Sequence, residues 1–413
     1  MKQGTIWGPK MCCATTDEIN KFSEEVGTTI GPLSIDSRIF VDDVASLGDE
    51  NTIRNSVNGC CYFERFKKFT FSTEKSKILR FGKSKDQNEY KVKKGKIDDT
   101  DEYKYLGDII QRNGKKDKTV GEKIRKCRNA VHYIMKWANS KVVGDNEINI
   151  RIRMFEAIVI PILLNNTETW GILSKKVTDE LESIQKEAVT KLMKQKVTTS
   201  YDGILCELGM WKVIHRINEK RLMYIHNVLN SEDGRQAKEV MRRFINDKMN
   251  NTWSDVVMKL ETLYGIEVKD AEMCTKKEWK KKVENKINRI IEEERREKKK
   301  IHTKLKYCEV DNFKPKEYLL KLKNKDAIKM LELRLQMNDV KTNFKGRYNQ
   351  DDMKCPLCLL DDDTNEHQIN CSKVKDVTIK NGKEYNYYLN TKDAEEISQF
   401  LRKVRINEEM RME

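Results

Sequence analysis

Proline is scarce in this chain, five in 413 residues, and glycine is modest at 19. With much Lys, Glu and Ile, so few helix breakers point to a largely helical protein. Long hydrophobic runs are missing too. The best one, Met154 to Leu164, falls short of the ~20 residues a membrane helix needs and carries Glu156 and Pro161. The opening Met1-Lys2-Gln3-Gly4 has no signal-peptide core. Eleven cysteines is an odd number, and Cys12-Cys13 and Cys60-Cys61 are adjacent pairs that rarely suit a bridge framework. Reduced intracellular thiols are therefore expected. Neither a Walker-type glycine loop, a nucleophile elbow nor an internal repeat is present.

What the chain has is positive charge. Its 81 Lys and Arg stand against 66 Asp and Glu, a formal net charge of +15. Such an excess suits a polyanion, because each neutralised phosphate releases counterions. Charge alone does not separate nucleic acid from an anionic membrane surface. The length allows two or three domains.

The first ~110 residues read as mixed α/β by pattern. A helix is expected over Lys10 to Phe22, a hairpin over Ser37 to Leu47 and a helix over Glu50 to Phe69. Lys77 to Phe81 reads as a strand, and Tyr103 to Ile110 as a hairpin turning at Gly107. From Thr119 the apolar period becomes helical. Val120, Ile124, Cys127, Val131, Ile134 and Ala138 share one face. Ile148 to Leu164 is a second stretch, kinked or ended near Pro161. Val177 to Leu192 is a third, with Thr178 and Asp179 available to its N-terminus. Tyr201 to Leu229 is a fourth. These stripes read as helix-bundle core. Thr275 to Lys306 differs, holding fourteen Lys and Arg against six Asp and Glu, with a thin apolar stripe of Trp279, Val283, Ile287 and Ile290. It reads as a long exposed basic helix, either a solvated face or an element that tracks phosphates.

Two constellations carry chemistry. In Phe40-Val41-Asp42-Asp43, neighbouring carboxylates sit at a turn between apolar strands. Like charges so close stay ionised when a cation sits between or above them. Mg²⁺ suits one or two carboxylates together with phosphate oxygens, and two such ions serve polymerase chemistry. An ordinary acidic turn is the commoner meaning of an isolated Asp-Asp pair. The second constellation is Cys355, Cys358, His367 and Cys371, spaced C-x2-C-x8-H-x3-C. Three thiolates and an imidazole fill a tetrahedral Zn²⁺ shell, as in a structural site. Asp361 to Asp363, inside this segment, read as a solvated loop. His132, His215, His226 and His302 show no metal spacing.

Taken in order, these motifs resemble the C-terminal part of a LINE-type, non-LTR retrotransposon reverse transcriptase, from Lys2 to about Cys371. Lys2-Gln3-Gly4-Thr5 with Gly8-Pro9 is similar to the family's template- and nucleotide-positioning loop and helix. Phe40-Val41-Asp42-Asp43 matches its metal-binding palm hairpin, Lys75-Ser76 its palm lysine segment, and Tyr105-Leu106-Gly107 its primer-grip hairpin. Cys206-Glu207-Leu208-Gly209 and Arg221-Leu222-Met223-Tyr224 resemble the thumb and the segment beyond it. The resemblance implies an α+β fold: a partial palm over 1–112, helical thumb and following region over 113–235, basic helical connector over 236–345, zinc knuckle over 346–376 and a tail over 377–413. It implies RNA-directed DNA polymerase activity with Mg²⁺ or Mn²⁺ at Asp42 and Asp43, and Lys75 as proton donor to the leaving pyrophosphate. Gln3, Gly4, Phe40, Tyr105, Leu106 and Gly107 would contact template or substrate, and Zn²⁺ would sit at the knuckle. An RNA template and a DNA primer or target would be the partners, with access to nuclear DNA.

Two departures concern single residues: Val41 replaces a small residue, and Ser72 stands where the family often has asparagine. The fingers and the first palm aspartate, expected upstream of Lys2, are a third. Their absence makes the chain an expected remnant, inactive alone. The alternative is a non-enzymatic nucleic-acid-binding protein that uses thumb, basic helix and knuckle. A membrane-surface role is disfavoured by the thin apolar stripe of the basic helix.

Overall fold

In a computed structural model the chain divides into two compact units, Met1–Thr119 with Val228–Lys248, and Val120–Asn227 with Met249–Glu413. The structure describes residues 43–67, 70–82, 88–138, 147–246, 253–374 and 384–412, and the backbone of 28–30, 33–35 and 38–40. The expected helix over Lys10 to Phe22 lies outside the described residues. The whole is mixed α+β and mostly helical.

The first unit holds short strand pairs, most of them antiparallel. Strands β1 (Thr28–Ile30) and β2 (Leu33–Ile35) pair, as do β3 (Arg38–Phe40) and β4 (Asp43–Ala45), with Phe40 opposite Asp43. Helix α1 (Glu50–Lys67) starts where the Asp49 carboxylate accepts the backbone N–H and the hydroxyl of Thr52, at 2.9 and 2.8 Å. Strand β5 (Lys77–Leu79) was foreseen; β6 (Tyr90–Val92) and β7 (Gly95–Thr100) were not. They form a sheet ordered β5-β7-β6, with β5 and β7 parallel. The pattern of Tyr90 to Thr100 is broken by Lys93-Lys94-Gly95 and two aspartates, so alternation is weak. Strands β8 (Glu102–Tyr105) and β9 (Asp108–Gln111) make the expected second hairpin. Its turn places Leu106 at φ +46° and Gly107 at φ +92°, the two positive angles that suit a twisted two-residue hairpin loop.

Among the described residues of this unit one apolar cluster packs on the sheet. Tyr90, Val92 and Ile97 are buried, with Ile53, Val57, Cys61, Phe71 and Ile78 against them. The Glu64 carboxylate, 1% exposed, accepts the backbone N–H groups of Phe71 and Lys93 at 2.7 and 2.8 Å. That fastens α1 to both ends of the intervening loop and strand region.

The second unit holds the large core. Helix α2 (Asp117–Ala138) buries Val120, Cys127, Val131 and Ile134, as the period required. Helix α3 (Glu147–Met154) runs through a π-helical turn, Phe155–Val159, into α4 (Ile160–Leu164). Pro161 has no N–H and its ring crowds the carbonyl four residues back, so the helix widens there. The Ile160 N–H reaches instead to the Phe155 carbonyl. Helix α5 (Lys175–Leu192) is capped by Ser174, whose side chain accepts the Val177 N–H, and not by Thr178 or Asp179. Tyr201 to Leu229 is two helices, α6 (Tyr201–Leu208) and α7 (Val213–Leu229), parted at Gly209. Gly209 has φ +62°, and a Cβ there would stand 2.2 Å from the Lys314 backbone nitrogen. Only glycine fits so close an approach.

After α8 (Gln236–Asn246) in the first unit and α9 (Trp253–Tyr264) in the second comes the basic helix α10 (Lys276–Ile301), opened by a capping box between Thr275 and Glu278. It is less exposed than its composition suggested. Trp279, Val283, Ile287 and Ile291 are buried, so Ile291 takes the place expected of Ile290. Several of its cations are engaged within the unit. Arg295 donates to the carbonyls of Val310, Asn312 and Met210, Lys298 pairs with Asp202 at 2.6 Å, Lys299 donates to the Cys308 carbonyl and Lys300 pairs with Glu297.

Helices α11 (Glu317–Lys321) and α12 (Asn324–Arg334) lead to the cysteine-rich segment with α13 (Asn365–Asn370). The expected tail holds α14 (Tyr385–Asn390) and α15 (Ala394–Met412). Tyr385, Tyr388, Phe400, Leu401 and Val404 join the same core as Leu331 and Leu205, so this segment is part of the fold. A buried ion pair ties these pieces together. Arg334 meets both carboxylate oxygens of Glu207, at 2.8 and 3.0 Å, and also donates to the carbonyls of Tyr307 and Leu389, while the Tyr318 hydroxyl donates to Glu207. Glu207 is fully buried and Arg334 nearly so.

Candidate metal centre

The segment from Met353 to Cys371 is a tight hairpin closed by a short helix. The Cys355 N–H donates to the Asp361 carbonyl, Asp363 N–H to Met353, and Leu359 N–H back to Cys355. Leu359 takes φ +58° to complete the loop. The Thr364 hydroxyl accepts the His367 N–H, which starts α13 and turns the imidazole toward the cysteines.

These constraints bring four ligand atoms together within 4.8 Å of one another: the sulfurs of Cys355, Cys358 and Cys371 and a nitrogen of His367. Cys355 and Cys371 sulfurs are 4.0 Å apart, and the Cys358 sulfur is 3.3 Å from His367 Nε2. A tetrahedral zinc with its usual bond lengths sets such edges at about 3.5–3.8 Å, so the donor set and its spacing fit the ion. His367 Nδ1 faces Asp361 Oδ2 at 3.5 Å, which leaves Nε2 as the ligand nitrogen. The backbone N–H groups of Asp361 and Leu360 pull the Cys358 thiol down to about 6, while burial pushes Cys371 up to about 11. The cluster could bind zinc.

The three aspartates beside it do not share one environment. Asp361 and Asp362 are exposed, but Asp363 is 1% exposed and corrects the expectation of a solvated loop. Arg411 grips both its oxygens, at 2.6 and 3.0 Å, and the Lys341 N–H donates to it at 2.9 Å. Nothing in the local sequence marked Asp363 over its neighbours, because its partner lies 48 residues on.

The residues singled out in the first unit are brought together in part. Asp43 begins β4 with an exposed side chain; Asp42, Gln3 and Gly4 lie outside the described residues, and Phe40 is described only as backbone. Burial, and after it the Asp43 carboxylate, holds the Tyr105 hydroxyl above its usual pKa. The Tyr103 hydroxyl donates to the Lys75 carbonyl at 2.9 Å. Ser72 shapes the Lys75 turn: its hydroxyl accepts the Lys75 N–H and its carbonyl the Ser76 N–H. The Lys75 side chain is exposed. Tyr103, missed by sequence reasoning as a functional residue, is the link between the lysine turn and the second hairpin.

Among the described residues no helix is long and apolar enough to cross a membrane. No protein family, no curated protein and no solved structure matches this chain.

Proposed function

We propose that this chain is the palm, thumb and zinc-knuckle portion of an RNA-directed DNA polymerase of the non-LTR retrotransposon kind. The observation that carries the reading is the bond from the Tyr103 hydroxyl to the Lys75 carbonyl, which ties the lysine turn to the hairpin of Tyr105 within the first unit. With the Asp43 hairpin they follow the order of motifs the resemblance assigns to metal, leaving group and primer. Asp42 and Asp43 would hold Mg²⁺, whose charge stabilises the oxygens of nucleotidyl transfer. The exposed Lys75 ammonium would give a proton to the leaving pyrophosphate. Tyr105, Leu106 and Gly107 would seat the primer end, and Phe40, Gln3 and Gly4 the nucleotide and template. RNA template and DNA primer are the partners. Positioning and electrostatics supply most of the barrier reduction in such reactions.

The test is extension of a DNA primer on an RNA template with Mg²⁺, comparing the chain with Asp42→Ala and Asp43→Ala. Any extension by the chain should be lost in both variants. Extension equal in all three, or in none, removes catalysis from this chain.

The second reading is a nucleic-acid-binding protein without catalysis. The observation favouring it is that the metal cluster is assembled by seventeen contiguous residues, so it needs no other part of the chain for its ligands. Zinc knuckles suit single-stranded or irregular nucleic acid. RNA binding that survives Asp42→Ala and Asp43→Ala but falls on zinc removal is the result expected of it.

A further inference from the structure

Three cations converge on one aromatic ring next to the metal-binding hairpin. The ring is Phe344. Lys304 Nζ lies 4.6 Å from its centroid, the Arg347 guanidinium carbon 4.8 Å and Lys196 Nζ 6.0 Å. They come from three places in the chain: the loop after α5, the 3-10 turn Thr303–Leu305 that follows α10, and the 3-10 segment Lys341–Arg347.

Carboxylates do not balance them. Lys196 has Glu332 only at 3.9 Å, and Glu332 also takes Lys329 at 2.9 Å. The Lys304 amino group meets the Met337 sulfur at 3.1 Å. Arg347 has no hydrogen bond or ion pair among the described residues. Burial, then Arg347 and Lys196, holds the Lys304 amino group below its usual pKa, as like charges in a half-buried place must. The ring's quadrupole offsets part of that repulsion. The remainder is a positive field aimed at one spot, which favours an anion there.

The spot is held firmly. The Lys341 N–H donates to the buried Asp363 carboxylate, Thr342 N–H to the Asp363 carbonyl, and the Asn343 side chain to Asn338 and Asn365. Asp363 belongs to the metal-binding hairpin, whose tip carries Leu359 and Leu360, exposed by 72% and 71%. Tyr348, 39% exposed, follows Arg347.

We infer that Lys196, Lys304 and Arg347 form a seat for a backbone phosphate of single-stranded nucleic acid, with Tyr348 offered to a neighbouring base. Charges focused on one ring suit a single flexible phosphate, where a duplex groove would call for a stripe. An exposed aromatic ring beside them suits unpaired bases. The seat goes beyond the polymerase proposal, asks nothing of Asp42 or Asp43, and survives a failed extension assay.

The test is fluorescence anisotropy of a labelled single-stranded RNA titrated with the full, zinc-loaded chain at several salt concentrations. Lys304→Gln with Arg347→Gln should weaken binding about tenfold at low salt and flatten the slope of log K against log salt by roughly 0.7 for each phosphate no longer neutralised. Arg347→Gln alone, at an exposed residue, should give the same trend if the pair perturbs folding. Lys276→Gln with Lys277→Gln removes equal charge from the exposed start of α10 and should leave most of the binding. Equal weakening by that second pair would mean that overall charge binds the RNA, and overturns the seat. So would wild-type binding by the Lys304 and Arg347 variants. Loss of binding to phosphatidylserine vesicles in those variants, with RNA binding intact, would assign the seat to a lipid headgroup and overturn it as well.

Discussion

The chain carries two candidate metal sites built in opposite ways. At the cysteine cluster, a hairpin, a strained Leu359 and a Thr364 cap deliver four ligands from one short segment, and a buried Asp363–Arg411 pair braces it. At the aspartate hairpin, Asp43 lies exposed at the end of a three-residue strand, and the other residues assigned to the site, Lys75 and Tyr105, come from other segments. A structural metal site can be a local property of sequence. A catalytic one must stay open to substrate, and its geometry is only as firm as the sheet and loops beneath it.

The largest way to break this contrast is to remove the metal. Binding of structural zinc is worth about 10–16 kcal/mol in small metal-folded peptides, so a strong chelator should unfold the 353–371 hairpin while the first unit keeps its structure. Elemental analysis should find about one zinc per chain, lost in Cys355→Ser. Unchanged zinc in that variant would sink the assignment.

Next in size is the buried pair behind the hairpin's unit. Arg334→Ala leaves Glu207 buried and unpaired, a loss of about 3–5 kcal/mol, read from the urea midpoint. Gly209→Ala should follow, with at least about 1–3 kcal/mol from forcing a side chain into φ +62° and more from the Lys314 backbone. Alanine substitutions at exposed lysines nearby should do nothing comparable.

Acid should loosen the second unit through Glu294. Burial alone would raise its carboxyl, but His215 at 3.5 Å and the hydrogen-bonded Lys212 ammonium at 2.8 Å outweigh burial and bring it from 4.5 to about 2. A depressed carboxyl contributes stability above its unfolded pKa and loses it as pH falls through the folded one. The contribution is therefore complete above about pH 5 and gone once the pH falls below about 2. A pH series of thermal unfolding should show this slope flattened in Glu294→Gln; an identical slope in the variant would show that other carboxylates govern it.

The smallest effect sharpens the other side of the contrast. Leu106 sits at φ +46°, where a side chain without a hydrogen bond of its own is disfavoured. Leu106→Asn should stabilise the β8–β9 hairpin by about 0.5–1 kcal/mol, seen as slower amide exchange. If Leu106 also seats a primer, the same change lowers extension while raising stability.

Much of this architecture was legible in the residues. Both hairpins, α1, the helical faces from Val120 to Leu229 and all four sulfur and nitrogen ligands follow from local period, turn chemistry and spacing. What was not legible depends on partners far along the chain. Nothing near Glu207 announces Arg334, and nothing near Asp363 announces Arg411. The charge run of α10 promised an open cationic face, yet Lys298, Lys299 and Lys300 are each occupied by a neighbour in space or sequence. The parallel pairing of β5 with β7 was hidden for the same reason: register between distant strands is settled by packing.

The Asp363–Arg411 contact also sets an order in time. Because a chain leaves the ribosome from its N-terminus onward, the cysteine hairpin emerges well before the residue that braces it. Its four ligands can take up a metal during synthesis, but the carboxylate at its base waits without its guanidinium until Arg411 is free. A nascent chain paused short of that point would hold a metal-loaded but unclasped hairpin, and α15 would close over it only afterwards.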